Sequence, residues 1–231
     1  MEKKSLEREL HTSLREIEKA NWSEFSKALA GILPKHDSFT IKSFLIDSKS
    51  QNLVFENYNE WNRRRAVEGL IRSVADDADD ILSKTTSDEV RLFILNSGLY
   101  KDISVIDALA IDGSKAVKEF CSSHCSLNVL RQMKGSKSKS VRRSYYSRLG
   151  AVECLDEMLD DKLAEFRQEG IVIAPFGYPK LNTMTREIAR GPFMALVRKI
   201  SPEYLPMLLA NRNIKNSWVA RAMQDRLDGG V

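Results

Sequence analysis

Glycine and proline are scarce in this chain, 11 and 6 of 231 residues, and aromatic side chains make up only 8%. With few helix breakers, and with Leu, Ala, Arg, Lys, Glu and Asp common, the composition favours a helical, soluble protein. No apolar run approaches the ~18 residues that a membrane helix needs, and the opening Met-Glu-Lys-Lys-Ser-Leu-Glu-Arg lacks the apolar core of a signal peptide. Three cysteines, an odd number, argue against a disulfide framework and fit a reducing compartment. An intracellular, cytoplasmic protein without a membrane partner is expected. With three histidines, no glycine-rich phosphate loop and no nucleophile elbow, no catalytic constellation stands out. A non-enzymatic protein without a cofactor or bound metal follows as the expectation.

What is present is charge and core. Apolar residues make up 42% and charged residues 29%, and 36 basic against 32 acidic side chains leave a net charge of only +4. Information about partners therefore lies in local clusters rather than in the total.

Leu6, Leu10, Leu14 and Ile17 form an amphipathic stripe, and Asn21 with Glu24 reads as a capping box opening a helix through Phe25, Leu29 and Ile32. From Phe39 to Tyr58 two β-prone runs flank the polar stretch Asp47 to Gln51, which predicts a small β-hairpin over 39–58. A single helix is expected over 60–83, then short helices over 88–96, 103–111, 115–122 and 126–133. The pattern from Val105 to Phe120, helix, glycine turn and helix, is weighed as a helix-turn-helix and read as a plain helical hairpin. Gly135 to Ser140 is low in complexity and predicts a flexible basic linker over 134–140. The longest helix is expected over 141–169, with Tyr145, Leu149, Val152, Leu155, Leu159, Leu163 and Phe166 inward and Gly170 as its C-cap. Ile171 to Ala174 is at most an edge strand or a buried connector, and helices resume over 183–190, 192–200, 202–210 and 216–227. The fold class is therefore mainly α: a multi-helical bundle or two helical lobes, residues 1–133 and 141–231, with one hairpin.

Residues 131–148 carry Arg131, Lys134, Lys137, Lys139, Arg142, Arg143 and Arg148, with Tyr145 and Tyr146 and no carboxylate. Lysine and arginine bind phosphates by releasing counterions, and tyrosines stack on unpaired bases, so this stretch has the chemistry of a nucleic-acid contact. Its plain alternative is a solvated linker. Arg63, Arg64 and Arg65 fall near the start of the expected 60–83 helix while Asp76, Asp77, Asp79 and Asp80 fall near its end, the reverse of what the helix dipole prefers. Either a bound polyanion or the acids Glu153, Asp156, Glu157, Asp160 and Asp161 would explain the triplet.

Asp76 to Asp80 formally matches the Asp-Asp-x-x-Asp pattern by which helical prenyl-diphosphate enzymes hold magnesium, without any further element of that pattern; solvated helix faces are the plainer reading. Cys121, His124 and Cys125 offer three soft ligands where a structural zinc needs four, and read as core cysteines beside a surface histidine. The leading expectation is nucleic-acid binding through Arg63, Arg64, Arg65, Arg131, Lys134, Lys137, Lys139, Arg142, Arg143, Tyr146 and Arg148. The competing one is a protein-interaction or assembly module, including self-association, built on amphipathic helices and complementary charge blocks. A magnesium-dependent enzyme acting on a diphosphate is third.

Overall fold

A computed structural model describes residues 2–17 and 21–210, together with Arg221, Gln224 and Arg226. Among the described residues the chain is helical and contains no strand. No described helix is long and apolar enough to cross a membrane. Of the helix expected over 216–227, only Arg221, Gln224 and Arg226 are among the described residues. The chain divides into two compact units, residues 1–142 and 143–231.

The first unit holds α1 (Glu2–Ser13), α2 (Trp22–Ile32), α3 (Ser38–Ile46), α4 (Ser48–Phe55), α5 (Glu60–Ser73), α6 (Ala78–Lys84), α7 (Asp88–Ser97), α8 (Ile103–Asp112), α9 (Lys115–Cys121) and α10 (Leu127–Gln132). Leu6, Leu10 and Leu14 are fully buried, as their spacing requires. Asn21 does not cap α2 with its side chain; its amide instead bonds to Glu24.

The hairpin expected over 39–58 is not formed, because α3 and α4 occupy it. Ile41, Phe44 and Leu45 are buried at helical spacing, as are Gln51, Val54 and Phe55, whereas Phe39 and Leu53 are each 71% exposed. Asp37 caps α3 through the amide of Thr40 at 2.7 Å, and Asp47 caps α4 through Lys49 and Ser50 at 3.1 and 3.3 Å. Each such cap stabilises a helix by about 1 kcal/mol. The buried amide of Gln51 then donates to the last carbonyls of α3, those of Phe44 and Leu45, at 3.1 and 2.7 Å. Caps at both ends and packed rings (Phe44 on Phe55, 5.8 Å between centroids) outweigh the weak β propensity of the run.

The helix expected over 60–83 breaks at Val74, whose φ and ψ of −128° and 36° leave the helical region. A 3₁₀ turn over Ala75–Asp77 follows, and α6 begins at Ala78. The aspartates therefore stand at the start of α6, where the dipole favours them. The reversed arrangement inferred from the sequence disappears.

From Asp88 to Gln132 the four expected helices are present, opened by side-chain caps from Ser87, Asp102, Ser114 and Ser126. The pair α8 and α9 packs together across the Gly113–Ser114 turn.

Helix α11 (Lys139–Leu149) contains the division between the units. The long helix expected over 141–169 is interrupted: Gly150, with φ of 99°, ends α11, and α12 (Leu155–Leu159) and α13 (Ala164–Ile173) follow as separate pieces. Val152 sits in the intervening turn and is 82% exposed rather than inward. Gly170 lies inside α13 rather than capping it, at a close crossing where a Cβ would come within 3.0 Å of Met158 Cβ. Ile171 to Ile173 are consequently helical, not an edge strand.

The second unit is completed by α14 (Arg190–Lys199) and α15 (Leu205–Ala210); in place of the helix expected over 183–190, a 3₁₀ turn over Pro179–Thr183 is followed by irregular backbone over 184–189. Leu155, Ile171, Leu181, Phe193, Leu196 and Ile200 belong to its core. Two cations close its helix ends. Lys199 Nζ donates to the carbonyls of Val172 and Ala174 at 2.6 Å each, and Arg226 donates to those of Val197 and Ile200 at 2.6 and 3.0 Å. A positive charge on the orphan carbonyls at a helix C-terminus satisfies both the hydrogen bonds and the dipole.

Candidate functional site

Between α10 and α11 the backbone is reversed by Gly135, whose φ of 72° suits glycine. The turn is held by short-range bonds: Ser136 N donates to Met133 O at 3.1 Å, and Ser136 Oγ accepts from Ser138 N at 3.2 Å. Ser138 caps α11 by accepting from Val141 N at 3.4 Å, while its hydroxyl donates to Glu119 at 2.7 Å. Lys134 and Lys137 on this turn, Arg131 at the end of α10 and Lys139 at the start of α11 are all exposed. Arg142, one turn into α11, is half-buried.

Past the division the segment behaves differently. Arg143 reaches Glu169 at 3.4 Å and Glu165 at 3.7 Å, with its guanidinium 5.4 Å from the centre of the Phe166 ring. Tyr146 is buried, its ring 5.1 Å from Phe166 and its hydroxyl donating to Asp161 at 2.6 Å. It is a core residue and presents no face for stacking, a correction to its place in the expected site. Tyr145 is also buried, its hydroxyl pushed up to about 12 by burial first and then by Glu157. Arg148 is half-buried.

The arginine triplet is partly spoken for inside its own unit. Arg63 pairs with Glu89 at 2.6 Å, and Arg65 with Glu68 at 2.7 Å. Asp156 and Asp160 are instead bonded to Tyr178 and Lys180 in the second unit, at 3.1 and 2.5 Å. Arg63 is the fourth residue of α5, at the edge of the dipole's reach, and Glu60 opens the helix. Arg65 lies 4.7 Å over the Trp22 ring and 5.9 Å from that of Trp61. The two tryptophans meet edge to face at 6.0 Å, and Phe25 supports Trp61 at 5.5 Å. Beside them Asn59, Glu60, Trp61 and Arg64 line a pocket of about 500 Å³. Arg64 is exposed and has no ion pair or hydrogen bond among the described residues.

Sequence reasoning singled out the arginines and passed over Trp22 and Trp61. The available signal was Asn-Glu-Trp-Asn-Arg-Arg-Arg, a tryptophan in the first turn of a helix among polar neighbours, where no apolar stripe calls for one.

The aspartate run is engaged as structure. Lys42 reaches Asp77 and Asp80 at 3.1 and 3.4 Å, and Asp79 accepts from the amides of Lys101 and Asp102. A hydrogen bond from Lys84, and a second from Lys42, holds Asp80 below the ordinary carboxylate range. Cys121 and Cys125 are fully buried, and His124 stacks on Phe120 at 4.6 Å. Burial, and then Cys125, pushes the Cys121 thiol up to about 12.

No family model, no curated protein and no solved structure matches this chain.

Proposed function

We propose that the protein binds nucleic acid through phosphate contacts made by the basic turn between α10 and α11. The observation that carries this reading is the common exposure of Arg131, Lys134, Lys137 and Lys139, on one short turn and the helix ends that flank it, in a stretch without a carboxylate from 131 to 148. A polyanion gains from such a cluster mainly through released counterions. Four phosphate contacts on a duplex correspond to a slope of log K against log salt of about −3.6. Replacing the four residues with Gln is expected to flatten that slope to near zero; unchanged affinity and slope would remove the proposal.

A second reading, a protein-interaction module, is supported by a different observation in the second unit. Val172 and Ile173, 58% and 43% exposed, line a pocket of about 460 Å³ with Met158 and Ala151, and Phe176 is 54% exposed. Uncovered apolar surface of this kind favours a partner. The mass in solution, measured across a range of protein concentrations, tests self-association.

A further inference from the structure

Resting on the nucleic-acid reading, we propose that the pocket at the start of α5 takes one unpaired nucleotide, with guanine as the base that fits its polar groups. A nucleotide is a flat π surface with a hydrogen-bonding edge and an attached anion. The pocket presents a counterpart for each part.

Trp61 forms the aromatic wall. It is held in place by Phe25 and Trp22, and by Arg65, which Glu68 anchors in turn. Trp22 remains 51% exposed, so the aromatic cluster is not closed over by the fold. Successive bases stack on such side chains in proteins that bind single strands.

Arg64 supplies the anion contact. Its neighbours Arg63 and Arg65 are each committed to a carboxylate, whereas Arg64 lines the pocket without an ion pair among the described residues. Of the triplet, it alone faces this pocket as a lining residue.

Glu60 and Asn59 supply the edge contacts. The Asn59 carbonyl oxygen is used to cap α5 through Asn62 N at 2.8 Å, which leaves its NH₂ as the donor to a base acceptor. The Glu60 carboxylate offers two acceptor oxygens, which suit the adjacent N–H donors on the Watson–Crick edge of guanine. A carboxylate here disfavours an all-phosphate ligand, which is why the pocket fits a base with one phosphate nearby rather than a bare phosphate. Its volume of about 500 Å³ lies within the usual range of small-ligand pockets, roughly 300–1,000 Å³. A base-paired duplex has no free base face to offer, so the pocket distinguishes single strands from duplexes.

The test uses the full chain and three labelled probes: a short single strand of alternating guanine and thymine, an all-thymine strand of equal length, and the guanine-containing strand hybridised to its complement. Trp61→Ala is expected to weaken single-strand binding by roughly 5- to 150-fold, the equivalent of one lost base stack, and to leave duplex affinity within about twofold. Arg64→Gln, at an exposed position that keeps the fold, is expected to lower the single-strand salt slope by about 0.7. Glu60→Gln is expected to abolish the preference for the guanine strand over the all-thymine strand.

If the basic-turn variant loses binding while Trp61→Ala, Arg64→Gln and Glu60→Gln bind all three probes as the parent does, the pocket is overturned and the nucleic-acid reading stands. If the parent binds none of the probes, both are overturned. Equal losses on single strand and duplex for Arg64→Gln also overturn the pocket, since they make Arg64 a general phosphate contact.

Discussion

Removing Arg167 leaves a buried carboxylate without its cation. Glu187 is only 4% exposed at its side chain and Arg167 18%, and they are joined twice, Nε to Oε2 at 2.6 Å and Nη2 to Oε1 at 3.0 Å. Glu187 also accepts from the amides of Ile188 and Ala189 at 2.9 and 2.8 Å, and Arg167 Nη1 donates to the carbonyls of Asp161 and Lys162. One pair thus fastens the turn after 183 to α13. Burial alone pushes the Glu187 carboxyl up, but the Arg167 hydrogen bonds and the two amides outweigh it and hold it below the ordinary value. Because the folded value is depressed, the pair's contribution is present above the ordinary glutamate range and is lost as pH falls through the lower folded value.

Breaking a buried pair from one side costs about 3–5 kcal/mol, so Arg167→Met is expected to destabilise the second unit by that amount. Glu187→Gln is expected to cost less, because Arg167 keeps two carbonyls and reaches solvent. The double variant should lose less than the two single losses combined, with a coupling of at least about 1 kcal/mol. Denaturant unfolding followed by circular dichroism measures all three. An Arg167→Met variant within about 1 kcal/mol of the parent, or strictly additive losses, would refute the reasoning.

Gly170→Val places a branched side chain where even a Cβ comes within 3.0 Å of Met158, and is expected to cost about 1–3 kcal/mol by the same unfolding measurement. Asp47 is held at about 2, first by the Lys3 hydrogen bond and, against the opposing effect of burial, by Ser50. Its contribution should therefore persist above the ordinary value of 3.8 and disappear as pH falls towards 2, and Lys3→Gln should shrink the acid sensitivity in that window of a pH-dependent melt. The three cysteines are buried, so the folded chain should react with a thiol reagent only as fast as it opens, and should show three reactive thiols at once when unfolded.

Local signals carried the parts of the fold that were legible. From Asp88 to Gln132 each helix starts at a serine or aspartate whose side chain caps it, so type and boundary could both be read. Over 39–58 the same residues satisfied two periods: Phe39, Ile41 and Ser43 alternate, while Ile41, Phe44 and Leu45 share a helix face. The caps from Asp37 and Asp47 decided between them, and a reading based on β propensity gave them no weight. The apolar stripe from Tyr145 to Phe166 concealed two breaks because turns can also bury leucines; only Gly150 marked the first. At the candidate site, exposure of the basic turn was readable from composition. Burial of Tyr146 was not, since its partner Asp161 lies beyond a break that the sequence did not reveal. The tryptophan pair depends on α2 and α5 meeting, a tertiary fact without a local signature.

The most direct test of the central claim is the salt dependence of duplex binding, parent against the Arg131, Lys134, Lys137 and Lys139 to Gln variant. The account predicts a parental slope of about −3.6 that collapses in the variant while its circular dichroism is unchanged. A folded variant that keeps the parental affinity and slope, or a parent that binds no nucleic acid at low salt, would contradict it.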